Sequence, residues 1–184
     1  MFSFLLFSVL ILNGCIETVT DTTTEEKIKI IEKPDPSLTK VEVRTDGMLA
    51  EVGYGHPHPF AFPNKVLVDM KFYQHDKIAR GDIVVFKTKN NKDQDTDIAR
   101  IVGLPGETVS IKKGQVYINH KKLDSFYGND STFDNNDSWD AVALKDNEYY
   151  ILADVRWRGL NDSQLAGPFL KQDILGKVVG YEIK

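Results

Sequence analysis

The sequence predicts a single, mostly β domain, and three observations lead to this fold class. Short runs of β-branched and aromatic residues alternate with Gly, Pro, Asn and Asp, which is typical of strands joined by turns. No long amphipathic helical pattern occurs. The 184 residues are 41% hydrophobic and 27% charged, which is enough apolar material for one buried core.

The predicted strands are short and bounded by turn residues. The run 82–86 follows an Arg80-Gly81 turn, and the run 98–104 is stopped by Pro105-Gly106. The other predicted strands cover 41–43, 66–68, 108–111, 115–118, 149–152 and 176–183. These runs form a β-rich set of strands and turns.

The first residues are typical of a bacterial lipoprotein leader. An apolar run from Phe2 to Leu12 is too short to span a bilayer, which needs about 20 apolar residues. It is followed by Leu12-Asn13-Gly14-Cys15, which resembles a lipobox. We therefore predict lipid attachment at Cys15, the one cysteine of the chain; an ordinary cleaved signal and a signal-anchor are the alternatives.

Three parts are predicted along the chain. Residues 1–14 form a lipoprotein-type signal peptide, 15–37 a polar membrane tether without a packed element, and 38–184 the β domain. The tether is threonine-rich and acidic and ends near two prolines. The net charge of −4 gives no basic footprint, so nucleic acid is not an expected partner.

Three ordered segments resemble type I signal peptidase, serine peptidase family S26. They are TDGML at 45–49, RGDIVVF at 80–86 followed by ARIVGLPGE at 99–107, and LADVR at 152–156 followed by DSQ at 162–164. The family is a membrane-bound serine protease that removes secretory leader peptides. The resemblance implies the β-ribbon fold of signal peptidase and LexA over residues 41–184.

The resemblance also shows where the chain departs from the family. A serine hydroxyl attacks the scissile carbonyl in that family, and a neutral lysine amine takes its proton. Aligned on these segments, Gly47 occupies the serine position and Ala99 the lysine position, while Thr45 falls on an oxyanion-hole hydroxyl. We therefore predict no catalytic residue. The residues that keep the pattern are Met48, Arg100, Asp154, Arg156, Asp162 and Ser163.

The third segment has lost further family residues. Ala153 stands where the family has glycine, Val155 where it has asparagine, and Gln164 where it has arginine. In the family this segment supports the lysine, so it has less to do once the lysine is gone. Decay therefore concentrates on catalytic support, whereas strand and turn residues remain.

The leading hypothesis is a noncatalytic signal-peptidase-like lipoprotein that binds an extended peptide or a secreted or membrane protein. Two alternatives stay open: an active peptidase with an unrecognised nucleophile, and a structural lipoprotein with an occluded groove. We expect lipid anchoring on the extracytoplasmic face of the bacterial cell membrane. No cofactor or metal is predicted, since His56 and His58 have no third convergent ligand in the sequence pattern.

Overall fold

The computed structural model describes residues 17–50, 54, 56–89, 94–129 and 137–183, and within them strands dominate. The strands are β1 (Thr18–Val19), β2 (Lys29–Ile30), β3 (Thr39–Glu42), β4 (Lys65–Asp69), β5 (Ile83–Lys87), β6 (Thr96–Gly103), β7 (Thr108–Lys112), β8 (Gln115–Ile118), β9 (Lys121–Leu123), β10 (Trp139–Ala143), β11 (Glu148–Leu152), β12 (Phe169–Leu170) and β13 (Ile174–Tyr181). Two single-turn helices, α1 (Phe72–His75) and α2 (Ser163–Ala166), accompany them. The mostly β prediction is confirmed.

The strands form two sheets. The small sheet has the order β1-β9-β8-β7-β10, and the large sheet has the order β12-β11-β6-β5-β13-β4-β3, with β2 added beside β13. Neighbours within each sheet pair antiparallel, except that β1 lies parallel to β9 and β2 lies parallel to β13. The large sheet curls, because Thr45, just beyond edge strand β3, contacts β6.

The centre of the large sheet is buried on both faces. In β5, Ile83 and Val85 pack into one apolar cluster, whereas Val84 and Phe86 pack into another on the opposite face. This alternation explains why every residue from Ile83 to Phe86 is apolar, and not only every second one. A third cluster, which includes Ile111 of β7, fills the space beneath the small sheet.

Residues 17–31, which we call the strap, differ from the prediction. The expectation of a polar tether without a packed element is wrong for these residues. Thr18 and Val19 pair with β9, and Lys29 and Ile30 pair with the end of β13. Polar composition predicts no core, but it does not reveal that two sheet edges offer free backbone hydrogen-bonding groups.

Asp21 fastens the middle of the strap. Its carboxylate accepts hydrogen bonds from the Tyr127 hydroxyl (2.8 Å) and from the backbone of Thr23 and Thr24 (2.9 and 3.0 Å). Its own N–H donates to Ser125 Oγ at 2.9 Å. Burial opposes ionisation of Asp21, but these hydrogen bonds outweigh it and lower its pKa to about 2. The carboxylate is therefore charged and fully engaged at neutral pH.

The predicted leader elements lie outside the described residues. These are the apolar run from Phe2 to Leu12 and the lipid attachment site at Cys15. Within the ranges given above, no helix is both long and apolar enough to cross a membrane.

Replacing Asp21 by alanine should destabilise the domain. The change leaves the partly buried Tyr127 hydroxyl without its acceptor, and loss of the carboxylate's hydrogen bonds should lower the free energy of unfolding by about 1–3 kcal/mol. Asp35→Ala is the matched control, because the exposed Asp35 carboxylate accepts a hydrogen bond from nearby Ser37 N, and the change should cost less than about 1 kcal/mol. Urea denaturation of both variants measures the difference, and equal midpoints would contradict the anchoring role of Asp21.

Candidate site at the meeting of the three segments

The three segments that carry the resemblance meet at one end of the large sheet. Thr45 Oγ1 donates to Asp97 Oδ1 (2.8 Å), and Asn161 Nδ2 donates to Asp97 Oδ2 (2.8 Å). We call this set the Thr45–Asp97–Asn161 bridge. In addition, Val155 N donates to the carbonyl oxygen of Gly47 (2.9 Å). Segments far apart in sequence therefore share one hydrogen-bonded site.

Gly47 is buried, and its neighbours occupy the space a side chain would need. A Cβ built on Gly47 would lie 3.2 Å from the Cβ of Ala153 and 3.5 Å from the carbonyl oxygen of Arg158. Arg158 is itself held by an ion pair to Asp46 (3.0 Å). The backbone of Gly47 is not in the left-handed region, so packing and not φ limits what residue fits here.

Ala99 lies on β6 opposite Val84 of β5 and is 2% exposed. Its methyl group belongs to the apolar cluster that contains Phe86 and Ile101. Because residues two apart on a strand face the same side, Ala99 and Asp97 share a face of β6. An alanine here offers neither a proton donor nor a proton acceptor.

Arg100, the next residue, points to the opposite face and forms a buried ion pair. Its guanidinium donates to both carboxylate oxygens of Asp154, at 2.8 and 2.6 Å, and to the carbonyl oxygen of Gly81 at 2.9 Å. Burial opposes the charge of Arg100, but Asp154 outweighs that effect and raises the pKa of the guanidinium. The pair and its bond to Gly81 therefore join β6, the turn at residues 80–82 and the end of β11.

Asp162 and Ser163 hold the start of α2 against β11. The Asp162 carboxylate accepts from Gln164 N (2.9 Å) and Ala153 N (3.0 Å), and Ser163 Oγ accepts from Ile151 N (2.9 Å). Asp162 is 2% exposed, and burial raises its pKa to about 6 despite these hydrogen bonds. Both residues thus have structural partners of their own.

Met48 and Arg156 also have structural surroundings. The Met48 side chain is 3% exposed and packs in the apolar cluster beside Phe60. Arg156 is 5% exposed, and its guanidinium donates to the carbonyl oxygens of Ala153 and Tyr127. The six residues that keep the family's pattern are therefore engaged in packing or hydrogen bonding.

Sequence reasoning missed Asp97 and Asn161. Asp97 precedes Ala99 by two residues on the same strand, and Asn161 directly precedes Asp162, so both positions were adjacent to predicted site residues. The available signal was the period of two along β6, which places Asp97 on the face of Ala99. The hydrogen bonds that join Thr45 and Asn161 to Asp97 depend on the curl of the large sheet and are not visible in the sequence.

His58 has a packing role in the loop after the first segment. Its ring lies edge-on to the ring of Tyr54, with 4.6 Å between the ring centroids. Its Nε2 lies 3.1 Å from the Ala50 carbonyl oxygen. Burial lowers the pKa of His58. Among the described residues, no three His, Cys, Asp or Glu side chains are grouped as metal ligands would be.

Comparison with known proteins identifies the family. Residues 57–181, more than half of the chain, match the family described as signal peptidase, peptidase S26. The chain belongs to this family. Ala99, Arg100 and the third segment lie inside the matched range, whereas Thr45 and Gly47 precede it.

Individual relatives agree with this assignment. Signal peptidase I S of Bacillus subtilis is 35% identical over 120 residues, which cover 61% of this chain and 63% of that protein. A probable signal peptidase I-2 of Synechocystis sp. is 31% identical over 121 residues, covering 62% and 52%. The matches thus span less than two thirds of the length of either relative. A signal peptidase I structure from Enterococcus faecalis superposes with a TM-score of 0.47 at 24% identity, over 56% of this chain and 97% of that one.

The buried carboxyl of Asp162 should make stability depend on pH. The pKa of Asp162 is raised from 3.8 to about 6 in the folded chain. Its contribution to the free energy of unfolding is therefore complete below about pH 4 and is lost as the pH rises through 6. The loss should amount to about 2–3 kcal/mol. In Asp162→Asn this loss disappears, so the difference in unfolding free energy between parent and variant should shift by that amount between pH 4 and 7.

Urea denaturation at several pH values measures this effect. Asp140→Asn, a matched change at an exposed position on β10, should leave the pH profile of the parent unaltered. A profile of Asp162→Asn that runs parallel to the parent's over the whole range would contradict the assignment.

Proposed function

We propose that this chain is a noncatalytic member of the signal peptidase family, attached to the outer face of the bacterial cytoplasmic membrane, which binds an extended peptide or a partner protein without cleaving it. The observation that carries the proposal is the pair of residues at the dyad positions. Gly47 and Ala99 supply neither a hydroxyl that could attack a carbonyl nor an amine that could take its proton.

The size of the chemical loss supports binding over slow catalysis. In a serine protease, removing the nucleophile or its base typically lowers kcat by about six orders of magnitude. Thr45 does not readily recover this, because the group within hydrogen-bond reach of its hydroxyl is the carboxylate of Asp97, a much weaker base than a neutral amine. Loss of both the nucleophile and the base would leave the scaffold in place and remove the reaction.

The packing around Gly47 supports the same conclusion. The resemblance puts glycine at position 153 and serine at position 47, whereas this chain has Ala153 and Gly47. The built Cβ of residue 47 lies 3.2 Å from the Ala153 Cβ, so an alanine at 153 crowds any side chain at 47. We therefore expect the two substitutions to compensate each other, since the methyl group of Ala153 crowds the position that a side chain at 47 would take.

Two strand edges near the site supply the means to bind an extended peptide. Edge strand β3 has one neighbour, β4, among the described strands. Strand β11 pairs with only the second half of β6, from Arg100 onward, so the first half has β5 alone as its described neighbour. An extended peptide can add to such edges through backbone hydrogen bonds.

Exposed apolar side chains lie beside the site. Trp157, Leu160 and Leu165 are 52%, 69% and 59% exposed, and they flank Asn161 of the bridge and Arg158, which contacts the position of the missing side chain. Large apolar groups clustered at a surface favour contacts with another molecule. They would give a bound peptide side-chain contacts in addition to backbone pairing.

A second candidate is an active peptidase that uses Thr45. The observation favouring it is the Thr45–Asp97–Asn161 bridge, in which a hydroxyl donates to a carboxylate that an amide also holds. In this candidate Thr45 would be the nucleophile, Asp97 the base, and Asn161 the group that orients the base. A carboxylate is, however, a far weaker base than a neutral lysine amine, which makes this candidate the less favoured one.

One experiment tests both candidates. The purified chain is mixed with a fluorescent peptide that carries a secretory leader segment; binding is followed by anisotropy and cleavage by mass spectrometry. We expect saturable binding and an intact peptide, with Thr45→Val leaving the outcome unchanged. Specific cleavage that is abolished by both Thr45→Val and Asp97→Asn would favour the second candidate. Absence of binding would instead indicate an occluded groove and a structural role.

The compensation between Gly47 and Ala153 is testable by stability alone. Gly47→Ser should destabilise the parent by about 1–3 kcal/mol, because the new Cβ overpacks against Ala153. In an Ala153→Gly background the same change should cost clearly less, giving a favourable coupling of about 0.5–2 kcal/mol in a double-mutant cycle.

Ala143→Gly on β10 is the matched control for that cycle. Residue 143 lies in the small sheet, so its coupling to Gly47→Ser should be close to zero. Equal costs of Gly47→Ser in the parent and in both glycine backgrounds would contradict the compensation.

A further inference from the structure

We infer that the pocket bounded by β2, β3 and the end of β13 binds a small ligand in which one carboxylate is joined to a short apolar body. We call it the β2–β3–β13 pocket. It is separate from the site of the proposed function, because neither Gly47 nor Ala99 nor any residue of the Thr45–Asp97–Asn161 bridge is among its described lining residues. The inference therefore stands whether or not a peptide binds beside the bridge.

Four parts of the chain meet at this pocket. They are β2 of the strap, strand β3, the segment 56–65 that leads into β4, and the end of β13 with the two residues after it. Ile30 of the strap is held there because it pairs with Tyr181 in parallel register. The pocket is thus complete only when the strap is in place on the domain.

The two lysines of the pocket point to the same face of the large sheet. Val41 of β3 and Val66 of β4 pair with each other, and both pack in the apolar cluster on the inner face. Because successive residues of a strand point to opposite faces, their neighbours Lys40 and Lys65 point outward. The pocket therefore lies on the outer face of the sheet, away from that cluster.

Much of the pocket wall is apolar. Ile30 and Ile183 line it although they are 49% and 62% exposed, and Pro57, Pro59 and the ring of Tyr181 add further carbon surface. The volume of about 390 Å³ lies within the range of about 300–1,000 Å³ that is typical of small-molecule sites. A ligand that covers these side chains removes apolar surface from water, which favours binding.

The charges of the pocket favour a single negative group on the ligand. Lys40 forms an ion pair with Glu182, so these two lining residues neutralise each other. Within the described part of the chain no ion pair includes Lys65, and its cross-strand neighbour Glu42 does not line the pocket. One exposed ammonium group beside an apolar wall is therefore left for a ligand.

This combination selects one class of ligand. A polyanion would meet the carboxylate of Glu182 as well as the lysines, which opposes its binding. A purely apolar ligand would displace water from the Lys65 ammonium group without replacing the lost hydrogen bonds. A monocarboxylate with a short hydrocarbon body satisfies both the wall and the lysine. Medium-chain fatty acids and the C-terminal end of an apolar peptide share this chemistry.

The first test is the binding of octanoate to the full chain, followed by NMR of its labelled carboxyl carbon. We expect saturable binding. Butyrate carries the same charge on a shorter chain and should bind at least about tenfold more weakly, because it buries less apolar surface. Absence of saturable octanoate binding, or equal affinity for butyrate, would overturn the inference.

The second test removes the charge. Lys65→Gln should weaken octanoate binding about two- to fivefold, as expected for an exposed ion pair, and should leave binding of the uncharged octanol unaltered. Lys87→Gln is the matched control, because Lys87 is an exposed lysine at the end of β5 that does not line the pocket. The same octanoate affinity in the parent, in Lys65→Gln and in Lys87→Gln would refute the role of the pocket.

The third test removes part of the wall that the strap provides. Ile30→Ala should weaken the binding of both octanoate and octanol about two- to tenfold, because less apolar surface is covered. Leu170→Ala, at a 38% exposed position on β12 outside the pocket, should have no effect. Equal affinities of these two variants would show that octanoate binds elsewhere and would overturn the inference.

A fourth measurement distinguishes the two sources of the carboxylate. N-acetyl-leucyl-leucine presents the C-terminal end of an apolar peptide and is compared with octanoate on the parent and on Lys65→Gln. Tighter binding of the dipeptide, with the same dependence on Lys65, supports a peptide end as the occupant, whereas tighter binding of octanoate supports a fatty acid. Binding of either compound that does not depend on Lys65 would count against the pocket.

Discussion

The buried ion pair between Arg100 and Asp154 is the interaction on which the site depends. It fixes the middle of β6 to the end of β11 and, through the Gly81 carbonyl, to the turn that starts β5. Removing one partner would leave an uncompensated buried charge, which typically costs about 3–5 kcal/mol. Ala99 and Ala153 are the preceding neighbours of these two residues, so the pair also fixes the backbone at positions 99 and 153.

Several residues around positions 47 and 99 are held by structural hydrogen bonds. Asp162, Ser163 and Arg156 each bond to backbone groups of buried strands or loops, so replacing them would orphan buried donors or acceptors. Gly47 and Ala99 have no polar side-chain atoms that could make such bonds. At position 47 the room for a side chain is narrow, because a Cβ there would lie 3.2 Å from the Cβ of Ala153.

Much of the fold was predictable because strand signals are local. The runs at β5, β6, β7, β8 and β11 were recognised from β-branched residues bounded by glycine and proline, and the positions of Gly47 and Ala99 followed from the segments around them. Asp97 and Asn161 were missed because their role depends on how the sheet curls. The strap was missed because polar composition predicts the absence of a core, and parallel pairing to an existing edge needs no apolar residue.

The sequence by itself determined which functional groups are absent, since no folding can supply a hydroxyl at Gly47 or an amine at Ala99. It also determined the strands and turns, because side-chain branching and glycine act on the backbone locally. Only the tertiary structure decided that Thr45 and Asn161 meet on Asp97, that Ala153 occupies the space beside Gly47, and that residues 17–31 close two sheet edges. These are contacts between segments distant in the chain, and their geometry follows from sheet curl and edge pairing, which no local pattern encodes.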